Sequence, residues 1–497
     1  MARNRKATVS LCMIVRNEAH HLAQCLGPVA GLFDEIVIVD TGSSDATPKI
    51  AAQFTPHVFH APWRDDFSAA RNESLRHASG DWVFWLDADD RLSPENVDRL
   101  RRCLAQLGDE PQAHLMNTAC WFQYACEGSS LITHPRLFRR DERIRWRGRV
   151  HEQIWPNLSS LGYELVWSDV QIDHTGYQDP AAEQRKLARN LRLLRMDYAV
   201  EPDDTSTLTH LGLAYFHAQR FETARFYLQR LLSLTVAPND HLRHVYGVLA
   251  TMAMREGNPN DALATIDCGL ELFPTGEYLL YQRAECLYEM DRFAEARQTL
   301  LRILQNPPAP QFRGCVPAEI RDRLAPRKLA DICRLERSFA DAESLLTVIL
   351  ARYPTDTISW HALGRVFIDS RNRPRLAGVV DRLKACPQGE IFADLLLAYW
   401  HLQMREFELA SQALDRLVAA APLMPMPRMM RVELLQQMQA PHSELIQACH
   451  DLLRMQPGNR EAQALLASLE TVRSVERPLD AAYPSIVVGS GLAVGVA

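Results

Sequence analysis

The sequence predicts an α/β domain of the Rossmann-like type followed by an all-α array of helical repeats. Short apolar, β-rich runs alternate with amphipathic helical segments in the first part of the chain, a pattern typical of parallel βαβ units. From about residue 179 the apolar residues follow a helical period throughout. Small residues also recur there at intervals that include 34 residues, which indicates internal repeats.

The composition excludes several function classes. A chain of 497 residues is long enough for roughly two to four domains. The net charge of −6 gives no overall attraction to nucleic acid or to acidic membranes. No run reaches the roughly 18 apolar residues of a membrane span. The 11 cysteines are scattered without a Cys-x-x-Cys pair, which favours reduced thiols and a cytoplasmic location.

Four strands are predicted in the first part, and a helical pattern follows each of the first three. The strands are Thr8–Val15, Glu35–Val39, His57–His60 and Trp82–Leu86. The turn after the second strand supplies N-cap residues for the next helix, because it contains serine, threonine and aspartate. A parallel sheet covered by helices on both faces is therefore expected.

The fourth predicted strand ends in three carboxylates, Asp87, Asp89 and Asp90. Asp87 and Asp89 are two residues apart, so along a regular strand they would face the same side. Buried carboxylates are costly unless they are paired or bound to a cation. The segment is therefore either a solvated acidic turn or a site for a hard divalent ion that leaves positions open for phosphate oxygens.

Acidic residues follow both the second and the fourth strand, at Asp40 and Asp87. In open parallel sheets, ligands bind beyond the carboxyl ends of the strands. A carboxylate that accepts hydrogen bonds from a ribose, beside a metal-bound pair, describes a site for a nucleotide diphosphate. The first loop reads Arg-Asn-Glu-Ala and lacks the Gly-x-Gly-x-x-Gly fingerprint, which argues against NAD.

Four ordered segments carry a family resemblance over about residues 8–180. They read Cys-Met-Ile-Val-Arg-Asn-Glu, Ile-Val-Ile-Val-Asp-Thr-Gly-Ser-Ser-Asp, Asp-Asp-Phe-Ser-Ala-Ala-Arg-Asn and Trp-Leu-Asp-Ala-Asp-Asp. Together they resemble the family 2 glycosyltransferases of the GT-A fold. The resemblance implies transfer of a sugar from a nucleotide-diphosphate sugar, such as a UDP-sugar.

The resemblance also implies roles for individual residues. Asp40 would contact the nucleotide base or ribose, in a donor site that also contains Asn17, Glu18, Gly42 and Ser43.

Two further assignments follow from the same motifs. Arg71 would lie near the base, although its position also suits a charge on a helix surface. Asp87 and Asp89 form the Asp-x-Asp (DXD) pair, which in this family holds Mn²⁺ or Mg²⁺ on the diphosphate.

The segment from Arg136 to Arg149 contains seven arginines in 14 residues. It is either a solvated hairpin or a cationic rim that grips phosphates or an acidic acceptor. The sequence His151-Glu152-Gln153 follows, where inverting members of the family place an acidic residue. By position Glu152 would be the catalytic base, with His151 as the alternative base.

His174 comes late in the predicted domain, and in many GT-A enzymes a histidine at this position completes the metal shell. A neutral imidazole beside two carboxylates suits Mn²⁺ better than Mg²⁺. The alternative is a structural histidine at a strand end.

The second part contains a series of small residues that begin successive repeat units. The series is Gly212, Ala250, Ala284, Ala330, Gly364 and Ala398, and three of its five intervals are 34 residues. Alanines 12 positions later and prolines after a further 12 complete several units. The period and the anchors resemble tetratricopeptide repeats, in which such positions are core and the concave face binds peptides or proteins.

The predicted domains are residues 1–178 for the transferase, 179–201 for a linking helix, 202–472 for the repeats and 473–497 for a loose tail. The favoured function is transfer of a sugar to a protein or peptide held by the repeats, by analogy with glycosyltransferases of this layout that modify small ribosomal peptides. One alternative is a lipopolysaccharide-core or other glycan acceptor, with repeats that serve self-association. Another is a non-enzymatic repeat scaffold. No nucleic-acid partner is expected.

Overall fold

The computed structural model of the chain describes residues 7–107, 118–126, 131–174, 180–235, 240–306 and 319–475. The chain divides into two compact units, the first ending at Pro326 and the second beginning at Arg327. The first unit contains a mixed sheet with its helices and several further helices, whereas the part of the second unit that the structure describes is helical.

One eight-stranded sheet forms the α/β part of the first unit. Its strands are β1 Val9–Val15, β2 Glu35–Asp40, β3 Val58–His60, β4 Trp82–Trp85, β5 Asp90–Arg91, β6 Thr118–Cys126, β7 Leu131–Arg139 and β8 Glu164–His174. The strand order is β3-β2-β1-β4-β7-β6-β8-β5. Strands β3, β2, β1 and β4 are parallel, as the sequence predicted, so the α/β fold class is confirmed.

The other half of the sheet was not predicted strand by strand. Strand β7 pairs antiparallel with β4 and with β6, and β5 pairs antiparallel with β8. Pro135 lies within β7, and a proline inside an apolar run argues against a strand because it cannot donate to the ladder. The structure accommodates Pro135 opposite Trp121, beside a register shift between Cys120 and Trp121.

Helices cover both faces of the sheet. They are α1 Leu22–Leu26, α2 Thr47–Ala51, α3 Phe67–His77, α4 Pro94–Gln106 and α5 Trp155–Ser160. Side chains fix where the longer two begin: Asp66 accepts a hydrogen bond from the amide of Ala69, and Ser93 accepts one from the amide of Asn96.

The alternation of side chains along β1 separates two apolar cores. Leu11 and Met13 belong to the cluster that also contains Phe84 and the buried face of α4. Cys12, the residue between them, belongs to the opposite cluster, with Trp85 and further residues of the second half of the sheet. Because successive strand residues face opposite sides, β1 is buried on both faces, which explains its continuous apolar sequence.

The remaining helices of the first unit follow the sheet. They are α6 Pro180–Val200, α7 Thr205–His217, α8 Phe221–Leu234, α9 Asp240–Arg255, α10 Pro259–Leu272, α11 Glu277–Glu289 and α12 Phe293–Gln305. From α7 to α12 consecutive helices contact each other in pairs, and Gly212 in α7 allows close packing: a Cβ there would meet Leu228 of α8 at 2.3 Å.

The second unit continues the pattern of paired helices. A π-helical turn, Ile320–Leu324, leads into α13 Ala325–Leu335, which begins in the first unit and continues in the second. The helices that follow are α14 Phe339–Arg352, α15 Thr357–Asp369, α16 Arg373–Lys384, α17 Gly389–Gln403, α18 Phe407–Ala420, α19 Met426–Gln437, α20 His442–Met455 and α21 Arg460–Val475. The small residues that the repeat pattern singled out are buried in both units, among them Ala250, Ala262, Ala284, Ala330, Ala342, Ala398 and Ala410. The prediction of an all-α repeat region is confirmed.

The predicted tail lies outside the described residues from residue 476 onwards, and so do residues 175–179, at the border between the predicted transferase and the linking helix, and residues 307–318, within the predicted repeats. Within the part of the chain that the structure describes, no helix is both long enough and apolar enough to cross a membrane.

Gly80, just before β4, generates a stability prediction. A Cβ at this position would lie 2.8 Å from the backbone nitrogen of Ser10 and 3.1 Å from the carbonyl oxygen of Thr8, so Gly80→Ala would force β1 and β4 apart. We expect this variant to lose about 1–3 kcal/mol of unfolding free energy. Urea denaturation followed by circular dichroism would measure the loss. Gly31→Ala is the matched control, because nothing lies within 4 Å of its Cβ; equal midpoints for the two variants would contradict the prediction.

Candidate active site

The sheet register brings Asp40 and the acidic segment after β4 to one edge of the sheet. Asp40 pairs with Val15 at the end of β1, and Trp85 pairs with Cys12 on the other side of the same strand. Asp87 follows two residues after Trp85, so it lies beyond the end of β4. Two strand spacings separate β2 from β4, about 10 Å, which is a distance that one nucleotide can bridge.

The loops after β1 and β2 are joined by hydrogen bonds. Asn17 has a left-handed backbone, with φ of 57°, and its amide donates to Ser43 Oγ at 2.9 Å. Its side-chain Oδ1 accepts from the amide of Ser44 at 2.8 Å. The amide of Glu18 donates to Thr47 Oγ1 at 2.7 Å. The predicted donor-site residues Asn17, Glu18 and Ser43 therefore lie in two loops that hydrogen bonds hold together.

Asp40 is buried, and its carboxylate organises the second loop. It accepts hydrogen bonds from the amides of Gly42 and Ser43, each at 3.2 Å to Oδ2. Gly42 has φ of 102°, a conformation that favours glycine. His60 Nδ1 lies 3.1 Å from the same carboxylate, and its exposed ring was not singled out in the sequence. The contact of Asp40 with a nucleotide stays a prediction.

The acidic segment is a turn rather than a continuation of the strand. Strand β4 ends at Trp85, and the amide of Asp90 then donates to the carbonyl of Asp87 at 3.1 Å. The amide of Asp87 donates in return to Asp90 Oδ2 at 2.9 Å. The strand-alternation argument for Asp87 and Asp89 was therefore wrong, because regular strand geometry has ended before either residue.

His174 lies beside this turn, although 84 residues separate it from Asp90. The antiparallel pairing of β5 with β8 places Asp90 directly opposite His174. His174 Nδ1 lies 3.1 Å from Asp90 Oδ1, and His174 Nε2 lies 3.3 Å from Asp89 Oδ2. One ligand atom from each of Asp89, Asp90 and His174 falls within 4.8 Å of the others, a spacing that suits a metal ion.

Asp90 is completely buried, and its contacts differ from those of Asp87 and Asp89. Its Oδ2 accepts from Arg136 Nη1 at 2.7 Å, and the Arg136 guanidinium stacks over the ring of Trp85 at 3.7 Å. With Nδ1 of His174 donating to Asp90, the imidazole would present Nε2 towards Asp89. A carboxylate that orients a metal-binding histidine in this way is a frequent outer-sphere arrangement. Asp90 and Arg136 were not among the predicted site residues.

Arg71 is buried, so the alternative of a helix-surface charge is wrong. Helix α3 directs its guanidinium towards two acidic residues: Nη2 donates to Asp87 Oδ1 at 2.8 Å and Nε donates to Glu152 Oε1 at 2.6 Å. The guanidinium lies over the rings of Trp85 and Trp146, at 4.5 and 5.0 Å. Arg71 thus joins the predicted metal ligand to the predicted base, whereas the sequence placed it near a nucleotide base.

The charges of the site shift several pKa values. Burial alone would raise the pKa of Asp87, but Arg71 and then Arg136 outweigh it and hold that pKa below its usual range. Burial raises the pKa of Asp89, and the neighbouring carboxylates Asp87 and Asp90 add to this against the opposing His174. Burial, followed by repulsion from Asp89 and Asp87, raises the pKa of Glu18 to about 7.

These shifts test whether a cation fits the site. Glu18, Asp87 and Asp89 crowd negative charge into a partly buried space, and a divalent ion would relieve the repulsion that raises the pKa of Glu18 and Asp89. Carboxylate oxygens with one imidazole nitrogen form a donor set that suits Mn²⁺. Asp89 and His174 therefore fit the predicted ion, and Asp90 is placed to orient the imidazole. The role of Asp87 as a metal ligand stays a prediction.

The arginine-rich segment is mainly occupied with partners in its own chain. Five of the seven arginines have such partners: Arg136 with Asp90, Arg140 with the Gly80 carbonyl, Arg143 with Asp141, Arg145 with the Ile144 carbonyl and Arg149 with Asp197. The interpretation as a cationic rim for phosphates is therefore not supported for these five.

His151 and Glu152 point in different directions. His151 has φ of 52°, and its ring stacks on that of His210 at 4.3 Å, away from Arg71. Glu152, by contrast, is paired with Arg71. Of the two predicted bases, Glu152 is therefore the one that contacts the acidic site.

Three further residues at the site were missed by the sequence analysis: His134, Trp85 and Trp146. The His134 ring meets Trp85 edge-on at 6.1 Å. Burial, and then Arg136, lowers its pKa to about 4. His134 and Arg136 are two residues apart in β7, so they share a face of the sheet. The sequence analysis did not predict this strand, because Pro135 lies within it.

Comparison with known proteins adds the family. Residues 10–141 match the sequence model of glycosyl transferase family 2, and residues 253–314 match that of the tetratricopeptide repeat. A TPR repeat-containing protein of Synechococcus elongatus is 34% identical over 268 residues, which are 52% of this chain and 64% of that protein.

Two further relatives carry glycosyltransferase names. The SPbeta prophage-derived glycosyltransferase SunS of Bacillus subtilis is 26% identical over 274 residues, 52% of this chain and 62% of its own length. An uncharacterized glycosyltransferase of Rickettsia felis is 31% identical over 97 residues, 20% of this chain and 34% of that protein. The chain thus spans less than two thirds of the length of these relatives.

Among solved structures, yeast Tom70 matches 60% of this chain and 62% of its own, at 13% identity and a TM-score of 0.42, which is too low to support an inference about function. The family matches agree with the mixed sheet and with the paired helices described above. The chain therefore carries a family 2 glycosyltransferase domain at its N-terminus and tetratricopeptide repeats in its C-terminal part.

Proposed function

We propose that the protein is a metal-dependent glycosyltransferase that moves a sugar from a nucleotide-diphosphate sugar, such as a UDP-sugar, to a protein or peptide acceptor. The observation that carries the proposal is the hydrogen-bonded series Glu152–Arg71–Asp87 at the carboxyl edge of the sheet. It connects a residue suited to proton transfer with a residue suited to cation binding. Both lie at the edge where ligands of such sheets bind.

The reaction would be a direct displacement at the anomeric carbon. A lone pair of the acceptor heteroatom forms the new bond to this carbon while the bond to the diphosphate oxygen breaks, and the electron pair leaves with the nucleoside diphosphate. The acceptor proton passes to the Glu152 carboxylate, which Arg71 holds at Oε1. One displacement inverts the configuration of the sugar carbon.

Asp87, Asp89 and His174 would hold the cation, with Asp90 fixing the imidazole. When bound, Mn²⁺ or Mg²⁺ supplies positive charge that stabilises the leaving diphosphate. Arg71 contributes a second positive charge at the Asp87 end, and it keeps this charge because its pKa is raised by Asp87 and Glu152 against the effect of burial.

The repeats support a protein or peptide acceptor rather than a glycan. Tetratricopeptide arrays offer extended surfaces suited to polypeptides. The SunS relative is named a glycosyltransferase, and its similarity extends over 52% of this chain, beyond the length of the transferase match alone. We also propose a cytoplasmic location, because the scattered cysteines without a Cys-x-x-Cys pair favour reduced thiols.

The proposal is tested by titrating a panel of nucleotide sugars with and without Mn²⁺ by calorimetry. We expect one donor to bind in a metal-dependent way and to be hydrolysed slowly without acceptor. Incubation of that donor, carrying a radiolabel, with a cell extract should then move the label into protein. Label in lipid-linked glycan would favour the alternative acceptor, and no metal-dependent binding by any donor would favour the scaffold.

Asp89→Ala tests the metal site. The change removes the carboxylate that faces His174 Nε2, so we expect metal-dependent donor binding to disappear and transfer to fall at least about 100-fold, since a metal ion contributes several kcal/mol to such a barrier. The protein should stay folded by circular dichroism. Asp98→Ala is the control, because Asp98 is an exposed residue of α4 paired with Arg101. Full activity of Asp89→Ala in the presence of chelator would end the metal argument.

Glu152→Gln tests the base. The amide keeps the size of the side chain but cannot accept the proton, so kcat should fall by roughly 10²–10⁴ while metal-dependent donor binding is retained. Steady-state kinetics with the preferred donor would measure this. Glu164→Gln, at an exposed position in β8, is the matched control. Unchanged kcat in Glu152→Gln would remove Glu152 from the mechanism and make its pairing with Arg71 structural.

A further inference from the structure

The turn that carries Glu152 is held from two sides. On the side of the sheet, Glu152 accepts from Arg71, and the carbonyl of Arg149 accepts from the amide of Phe67 at the start of α3. A backbone pairing between Arg147 and Gln153 closes the turn, with N–O distances of 3.0 and 2.9 Å. The other residues of the turn contact α6 and α7, which we call the junction helices.

Arg149 and Val150 are bound to the junction helices. The amide of Arg149 donates to Asp197 Oδ2 at 2.8 Å, and its guanidinium pairs with the same carboxylate at 3.3 Å. Val150 is buried in an apolar cluster that contains Leu193 of α6 and Leu208 of α7. Val150, two residues before the proposed base, is thus part of the helical core rather than of the sheet cores.

His151 and Gln153 also face the junction helices. The rings of His151 and His210 are nearly parallel, with 9° between their planes. His210 Nδ1 donates to the carbonyl of Ser206 at 2.8 Å, which fixes the orientation of the His210 ring. Gln153 lines a small cavity together with Thr205, Ser206, Thr209 and His210 and the leucines Leu231 and Leu242. Glu152 lies between His151 and Gln153 and points the opposite way.

This arrangement assigns the left-handed backbone of His151 a purpose. A non-glycine residue with positive φ persists where its surroundings over-determine it. Here the surroundings are the stack on His210 and the anchoring of Arg149 and Val150. Reversing the chain direction at His151 is what sends Glu152 back towards Arg71 while its neighbours stay on the helices.

We propose, building on the function given above, that the junction helices position Glu152 for proton transfer, with His210 and Asp197 as positioning residues. The helices touch neither the donor nor the reacting atoms in this proposal. They set the place of the carboxylate through the turn. A displacement of about 1 Å can cost roughly 10²-fold in rate, so the orientation of the turn matters for catalysis as well as for packing.

The test uses the full chain and the nucleotide sugar that the wild-type protein hydrolyses fastest with Mn²⁺ present. In His210→Ala the stack is lost, and kcat for hydrolysis should fall roughly 10- to 100-fold with KM for the donor unchanged. His210→Phe keeps an aromatic ring for the stack and should recover most of the lost kcat. Asp197→Asn should lower kcat in the same way as His210→Ala.

His217→Ala is the matched control, because His217 is an exposed residue at the end of the same helix. A readout besides activity is amide hydrogen exchange of a peptide covering residues 147–153, which includes the bonded amides of Arg149 and Gln153. Exchange should be faster in His210→Ala and unchanged in His217→Ala.

The outcomes separate this inference from the proposed function. An active wild type with equal kcat and equal exchange in His210→Ala and His217→Ala overturns the positioning role alone. If His210→Phe is as impaired as His210→Ala, the ring stack is not the positioning contact and the inference fails. A wild type that neither binds nor hydrolyses any nucleotide sugar refutes the proposed function, and faster exchange would then mark a purely structural clamp.

Discussion

The rest of the site depends on the two hydrogen bonds that the Arg71 guanidinium donates to Asp87 and Glu152. The guanidinium lies over two indole rings and joins carboxylates from distant parts of the chain, Asp87 after β4 and Glu152 after β7. A buried arginine that lost these partners would be an uncompensated charge, which is strongly destabilising. Arg71 therefore holds Asp87 and Glu152 at a fixed separation, because breaking either hydrogen bond would destabilise the fold.

A second buried pair, Asp90 with Arg136, supports the acidic turn from below. The two ion pairs give the neighbouring carboxylates Asp87 and Asp90 different roles. Asp90 is fully enclosed and orients His174, whereas Asp87 and Asp89 remain partly accessible. Differences in burial and pairing, and not differences in residue type, thus separate the structural aspartate from those that could bind a cation.

Sequence reasoning could reach the parallel strands, because continuous apolar runs between turn signals define them. Motif resemblance led it to Asp87, Asp89 and His174, whose role as metal ligands stays a prediction. It could not assign Asp90, since its partners Arg136 and His174 are brought together only by the antiparallel half of the sheet. That half was obscured by Pro135 and by charged residues within its strands. The arginines of this region looked like one surface, but their partners lie in separate parts of the fold.

The burial of Val150 among Leu193 and Leu208 has a consequence for engineering. In the proposed function, the border between the catalytic part and the acceptor-binding part would not follow the border between sheet and helix, because α6 and α7 contact the turn that carries Glu152. A chimera that gives this catalytic module a foreign recognition array would have to retain the native chain through α8, which pairs with α7, and join the new array beyond Leu234. Fusion directly after β8 would leave the Glu152 turn without half of its support.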